Sequence, residues 1–286
     1  MTPPRIAIGT CRVLPEPDVD EGLLLEALRE RGADPEMVAW DADPPADLTR
    51  YDLCILRSTW NYFEDPLRFR EWLTAAAETC ALWNPLEVAL WNLDKCYLTE
   101  LAKVGIPIIP TFWASQGSPL DLAREVESRG WTEFVIKPTI SAGSFATCRF
   151  SLKEIAKATA YLEEGLPARD WMVQKYISAV ETTGERAIVV IDDEISHSVR
   201  KSPRFTGDEE LVSLALVPSP SERAFAERVL AEISSPILYG RVDIIPDSDG
   251  TLLLAELELL EPSLFLKQYP PALDRFADAI LARVDR

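Results

Sequence analysis

Gly240-Arg241-Val242-Asp243-Ile244-Ile245, a break at Pro246 to Gly250, then Thr251-Leu252-Leu253-Leu254-Ala255-Glu256-Leu257-Glu258-Leu259-Leu260 is the stretch that decides the fold. Its two apolar runs flank the turn cluster Asp247-Ser248-Asp249-Gly250, the pattern of a β-hairpin. Glu256 and Glu258 stand two apart, so on a strand they share a face. Asp243, on the partner strand, can lie opposite them. The long apolar neighbours imply a buried sheet, where like charges on one face repel. Something positive should therefore sit among these carboxylates. A hard divalent cation such as Mg²⁺ fits, because it takes oxygen ligands and leaves room for phosphate oxygens. The competing reading is a solvent-facing polar stripe.

The chain around this hairpin has 286 residues, more than one average domain, and two or three lobes are the expectation. A hydrophobic content of 47% suits a globular protein with a large core. The formal net charge of -18 argues against nonspecific binding to nucleic acid or anionic membrane, both of which need a basic surface. The N-terminal Met1-Thr2-Pro3-Pro4-Arg5 runs into a strand without a signal-peptide pattern, and no apolar run approaches the ~20 residues of a membrane span. The five cysteines are scattered, with no CxxC pair, which points to reduced thiols in the cytoplasm rather than a disulfide framework or zinc site. A single histidine, His197, excludes a multi-histidine metal site within one chain.

Residues 1 to about 90 alternate strand and helix: strands at Arg5 to Thr10, Glu36 to Trp40, Asp52 to Arg57 and Ala81 to Asn84, helices at Glu21 to Arg31 and Pro66 to Cys80. This alternation predicts a parallel, doubly wound sheet, in which ligands bind beyond the carboxyl ends of the strands. Arg57-Ser58-Thr59-Trp60-Asn61-Tyr62 lies there and is a candidate substrate loop; a capped loop pinned by Trp60 is the equal alternative. Next, Leu93 to Val104 reads as a helix with Lys95 in its first turn, where the helix dipole disfavours a cation, so Lys95 is read as aimed at a ligand, with an ordinary surface lysine as the alternative. Ile106 to Thr111 is extended, with prolines suited to a sheet edge. Strands at Phe134 to Pro138, Phe145 to Phe150 and Trp171 to Ile177, with helices at Leu120 to Arg129 and from the Ser151/Glu154 capping box to Glu163, predict an antiparallel sheet carrying two helices. A further hairpin (Glu185 to Ile191, Ile195 to Val199), a helix at Glu222 to Ile233, the carboxylate hairpin and a helix at Pro271 to Val284 complete the chain.

Lys137 followed by Pro138-Thr139-Ile140-Ser141-Ala142-Gly143-Ser144 can cradle phosphate, because small residues let backbone N–H groups close on an anion. It is not a Walker A loop. Arg200-Lys201-Ser202-Pro203-Arg204 is a second basic cluster in an acidic chain, which taken alone reads as a solvated face. Taken in order, these features resemble the ATP-grasp superfamily of ligases. The order runs Asp94-Lys95, Lys137-Pro138 with its loop, Gln174-Lys175-Tyr176-Ile177 with Glu181, Gly184-Glu185, His197 to Lys201, Arg241-Val242-Asp243 and Glu256-Leu257-Glu258. The resemblance covers nearly the whole chain. Glu256-Leu257-Glu258-Leu259-Leu260-Glu261-Pro262-Ser263-Leu264-Phe265-Leu266 and the Arg57 to Tyr62 stretch resemble one subgroup, which includes a ligase that closes the D-cycloserine ring.

The resemblance implies an ATP-grasp fold of mixed α/β and α+β character. It would comprise a pre-ATP-grasp domain at 1–91, an ATP-binding lobe at 92–178 and a catalytic, metal-bearing lobe at 179–286. It implies that Lys95 and Lys137 contact ATP phosphates, and that Ser141, Ala142, Gly143 and Ser144 fold over the triphosphate. Gln174, Lys175, Tyr176 and Ile177 would hold adenine, and Glu181 the ribose. Lys201 would touch the terminal phosphate and Arg241 the transferring phosphoryl group. Asp243, Glu256 and Glu258 would hold Mg²⁺, as two ions. Arg57, Ser58, Thr59, Trp60, Glu261 and Ser263 would bound the substrate. The chain departs from the common pattern at Glu258, where many members carry Asn, and in a glycine-poor loop. The implied chemistry is ATP-dependent carboxylate–amine ligation through an acyl phosphate, on small-molecule substrates, with a homo-oligomer left open. A small-molecule kinase and a non-catalytic nucleotide-binding module are the alternatives.

Overall fold

The apolar run of the third strand is buried along its whole length, as befits a parallel strand covered on both faces. β1 (Arg5–Thr10), β2 (Asp34–Ala39), β3 (Leu53–Ser58) and β4 (Ala81–Trp83) form a sheet in the order β2-β1-β3-β4, parallel throughout. Helix α1 (Glu21–Glu30) joins one core with Ile6, Ile8, Leu53 and Ile55, while α2 (Pro66–Thr79) joins another with Ala7, Cys54 and Leu56. The two helices thus cover opposite faces, the doubly wound arrangement. Asp65 caps α2 by accepting from Arg68 N (3.1 Å), and Pro66 occupies its first turn. The computed structural model describes residues 2–202 and 211–284, so Pro203 and Arg204 of the basic cluster lie outside the described residues.

The helix expected at Leu93 to Val104 is shorter, α4 (Tyr97–Lys103); a separate helix, α3 (Leu86–Asn92), precedes it, and Lys95 lies in the bend between the two. The break has a physical cause. The side chain of Asn92, at the end of α3, is held by backbone at the end of the carboxylate strand, donating to Leu257 O (2.7 Å) and accepting from Leu259 N (2.6 Å). Asp94 accepts from Cys96 N (2.9 Å), a local turn that competes with helix. Lys95 is therefore not a first-turn lysine set against a dipole; the bend presents it.

The second sheet contains β5 (Thr111–Ala114), β6 (Glu133–Pro138), β7 (Cys148–Ser151) and β8 (Trp171–Lys175), antiparallel in the order β5-β8-β6-β7. It carries α5 (Leu122–Ser128) and α6 (Ile155–Gly165), the latter behind the expected Ser151/Glu154 capping box. The strand expected from Phe145 starts at Cys148, because Ser144 and Ala146 hold left-handed backbone that breaks a strand. Pro107 to Ile109 instead lie along the edge of the third sheet, with Leu254 N donating to Pro107 O (2.8 Å).

The third sheet holds β9 (Glu185–Ile191), β10 (Glu194–Lys201), β11 (Tyr239–Pro246) and β12 (Leu252–Glu258) in the order β10-β9-β11-β12. Helix α7 (Pro220–Leu230) starts at a Ser219/Glu222 capping box, and α8 (Pro270–Val284) packs with α1 in a core shared by the first and third sheets. Asn84 joins those two sheets directly. It donates to Tyr239 O and Leu259 O (2.7 Å each) and accepts from Leu238 N (2.7 Å). No helix among the described residues is long and apolar enough to cross a membrane.

His197 on β10 is 2% exposed, and burial holds its pKa down to about 4. The folded value lies below the unfolded one, so the unfolded chain binds this proton more readily. The stability that His197 contributes is present above pH 6.5 and is lost as pH falls toward 4. This amounts to on the order of 2–3 kcal/mol. His197→Gln should flatten the fall in stability between pH 6.5 and 4 in urea titrations; an unchanged slope assigns that fall to other groups.

Candidate active site

The β11–β12 register makes one wall of the site. Asp243 pairs with Glu256, and Arg241 with Glu258. The expected carboxylate cluster exists, and the positive charge among the acids comes from side chains. Arg241 Nε and Nη2 each reach an Asp243 carboxylate oxygen at 2.8 Å, and Nη2 also bonds Glu258. Lys201 Nζ lies 2.6 Å from Asp243 Oδ2 and 2.6 Å from Glu185 Oε1. Lys95 and Lys137 both sit on Glu256, at 3.1 and 3.6 Å. Gly184 lets the chain come this close: its φ is +71°, and a Cβ there would fall 2.5 Å from Arg200 Cγ and 2.8 Å from Lys201 O.

Charge is not evenly compensated along the wall. Burial pushes the Glu256 carboxyl up, but Lys95 and then Lys137 outweigh it and hold the pKa at about 2. Burial opposes ionisation of Asp243 as well, and Arg241 with Lys201 pulls it below the ordinary carboxylate range. Glu258 differs. Burial, with Asp243 and Glu256 adding repulsion, exceeds the help from Arg241 and raises it to about 8. Burial likewise lifts Glu261 to about 7 against the pull of Lys95. The site holds more buried carboxyl groups than its lysines and Arg241 can keep ionised.

Opposite this wall lies the small-residue loop. Lys95 Nζ donates to Ser141 O at 2.6 Å, tying the loop to the Lys95 bend. Gly143, Ser144 and Ala146 have φ of 56°, 58° and 50°, conformations that let the chain curl back over the cavity. The cavity between wall and loop measures about 450 Å³ and reaches past Glu261 and Ser263 to Trp60.

The expected residues divide in position. Lys95, Lys137, Ser141, Ala142, Gly143, Ser144, Lys201, Arg241, Glu256, Glu258, Trp60, Glu261 and Ser263 line one cavity, with Asp243 buried directly behind them. Arg57, Ser58 and Thr59 do not reach it. They are 2%, 0% and 0% exposed, with the Arg57 guanidinium against the edge-to-face pair of Tyr239 and Phe276, at 5.6 and 5.8 Å from their ring centres. Gln174, Lys175, Tyr176, Ile177 and Glu181 also stand outside the lining: Gln174 donates to Thr111 Oγ1, and Glu181 accepts from Tyr176 Oη (2.9 Å) and Arg149 (2.6 Å). Glu16, Phe63 and Glu185 line the cavity without having been assigned a role from sequence. Glu185 stands inside a quoted motif and opens a strand otherwise rich in apolar residues, which is a usable signal. Glu16 sits in a Pro-rich loop that gives none.

Comparison with known proteins agrees with this architecture. A family model described as D-cycloserine synthetase DcsG, N-terminal domain, matches residues 6–84. The cycloserine biosynthesis protein DcsG of Streptomyces lavendulae is 30% identical, across 93% of this chain and 94% of that protein. The chain belongs to the DcsG relatives within the ATP-grasp superfamily. The crystal structure of D-cycloserine synthetase DcsG superposes with a TM-score of 0.88 at 29% identity, covering 98% of this chain and 99% of that one. The D-alanyl-alanine synthetase A of Vibrio cholerae, at 14% identity and a TM-score of 0.74 over 100% of this chain and 98% of that one, shares the fold. This ATP-grasp protein is thus an ATP-dependent ligase that forms a carbon–nitrogen bond through an acyl phosphate.

Proposed function

We propose that the ligase joins a small-molecule carboxylate to an amine, with the residues of the β11–β12 wall handling the phosphoryl group. The observation that carries this reading is that Glu256 and Asp243, neighbours across one strand pair, each hold two cations. Phosphoryl transfer asks little more of a protein than positioned charge. Lys95, Lys137 and Lys201 are placed to exchange their carboxylate partners for ATP phosphate oxygens. A substrate carboxylate oxygen attacks the γ-phosphorus, the bond to ADP breaks, and an acyl phosphate forms. The amine then attacks the acyl carbon, inorganic phosphate leaves, and the nitrogen loses a proton. Arg241 stabilises charge on the transferring phosphoryl group.

Mg²⁺ suits the donor set. Asp243, Glu256 and Glu258 offer only oxygen ligands, and Glu258 is a carboxyl that the protein's own cations do not keep ionised. Among the described residues no group of three or more acidic, histidine or cysteine side chains is already gathered around a metal position, because Lys and Arg hold the carboxylates. When bound, Mg²⁺ would neutralise phosphate charge there, as two ions in this reading. Adenine would lie toward Gln174 to Ile177, and the substrates toward Trp60, Glu261 and Ser263. This reading includes the three-part division at 1–91, 92–178 and 179–286 and a cytoplasmic setting for the five free thiols.

Lys137→Ala tests it. Mg²⁺-ATP affinity should fall at least ~10-fold, the loss of one charged partner. ADP release in a screen of amino acids and hydroxylamine-like amines should drop to background. Wild-type affinity and turnover in that variant remove the phosphate assignment.

A further inference from the structure

The loop over the cavity is borne by β6 and β7 of the second sheet, yet much of its seat belongs to the first. Tyr62 Oη donates to Ser141 O at 3.1 Å. The Phe63 and Phe145 rings stack at 4.2 Å with an interplanar angle of 24°. Ile140 and Ala142 pack against the first-sheet core of Trp40, Tyr62 and Phe69. The loop's own lobe adds Tyr161 Oη on Ala146 O (2.8 Å) and the Arg169 guanidinium 5.3 Å from the Phe145 ring. Phe145 is 38% exposed, so its packing rests heavily on one partner ring.

We propose that Tyr62 and Phe63 are positioning residues that hold the phosphate loop closed from the substrate side. The inference rests on the reading of residues 141–144 as the triphosphate loop. Tyr62 and Phe63 start a short 3₁₀ turn, Tyr62–Glu64, and both line the cavity. Just ahead of it, Trp60 Nε1 donates to Glu261 O (3.1 Å), on the chain that continues from β12. A ligand against Trp60 and Glu261 and a triphosphate under the loop therefore touch the two sides of one turn. Whatever stiffens the turn from the substrate side favours the closed loop, and by linkage the closed loop favours that ligand. Removing a stacked aromatic pair should shift the loop equilibrium by roughly 2- to 10-fold.

The test compares full-length wild type, Phe63→Ala and Phe63→Tyr by hydrogen exchange without nucleotide and by calorimetry with Mg²⁺-ATP. In Phe63→Ala, amides of 140–147 should exchange about 2- to 10-fold faster while β1 and β3 keep their protection, and Mg²⁺-ATP should bind more weakly by a similar factor. Phe63→Tyr, which keeps the ring, should restore both. Unchanged exchange at 140–147 overturns the clasp. Faster exchange with unchanged Mg²⁺-ATP affinity overturns the positioning role, and faster exchange throughout the first sheet marks a merely structural residue. Failure of the triphosphate reading shows separately, as wild type that binds no Mg²⁺-ATP; exchange in the nucleotide-free protein still decides whether the clasp exists.

Discussion

Glu256→Gln is expected to cut ADP-forming turnover by roughly 10²- to 10³-fold and to destabilise the nucleotide-free protein. Both effects follow from one position. Glu256 accepts Lys95 at 3.1 Å and Lys137 at 3.6 Å, and their side chains are only 7% and 14% exposed. The amide keeps volume and one acceptor but takes from two buried ammonium groups their bonded counter-charge. A penalty of roughly 2 kcal/mol is the right order for such orphaned groups. Glu258→Gln makes the control. Burial lifts the Glu258 pKa to about 8, so its charge is already unwelcome in the nucleotide-free site. Neutralising it should leave the melting temperature unchanged or slightly raised, while turnover still falls. Thermal melts with and without Mg²⁺-ATP, beside an ADP-release assay, separate the two variants. Equal destabilisation by both would mean that the Lys95–Glu256–Lys137 bridge does not carry the charge balance of the wall.

Arg241→Met should give the largest loss of stability. Arg241 is 4% exposed and is held by Asp243, Glu258 and Ser263 O (3.2 Å), with the Phe265 ring 5.5 Å from its guanidinium carbon. Methionine fills much of the space but leaves Asp243 with Lys201 alone and Glu258 with no strong counter-charge. Breaking a buried ion pair from one side costs about 3–5 kcal/mol, equivalent to a fall of roughly 10 °C in melting temperature. Arg241→Met with Glu258→Leu should recover part of that loss, because it removes the stranded carboxylate as well. Turnover should remain absent in both. A single variant that melts within about 2 °C of wild type would show the network to be well solvated.

Residues close in sequence told most. The two-residue spacing of Glu256 and Glu258, across a turn cluster from Asp243, was enough to foresee three acids on one sheet face. Strand periodicity and hairpin closure depend on neighbours only. The alternation of strands and helices in the first 90 residues likewise foretold a parallel sheet, because that pattern leaves few ways to bury both faces. Lys95 was singled out for the wrong local reason. It lies in the bend after α3, whose last residue, Asn92, has its side-chain amide claimed by backbone more than 160 residues away, at Leu257 and Leu259. Arg57 to Thr59 lie at the expected end of the expected strand, but the direction of the Arg57 side chain depends on how α8 and Tyr239 pack there.

By itself, the sequence determined most of the elements, the carboxylate face and the ATP-grasp kinship, since each is written in local periodicity and motif order. The tertiary structure alone decided which cation sits on which acid. The four come from the α3–α4 bend, the end of β6, the end of β10 and β11, elements brought together only by packing. It also decided that the loop over the cavity leans on Tyr62 and Phe63. No local pattern carries that contact, because it joins residues about 80 positions apart, and only burial of the loop against the first-sheet core brings them within bonding distance.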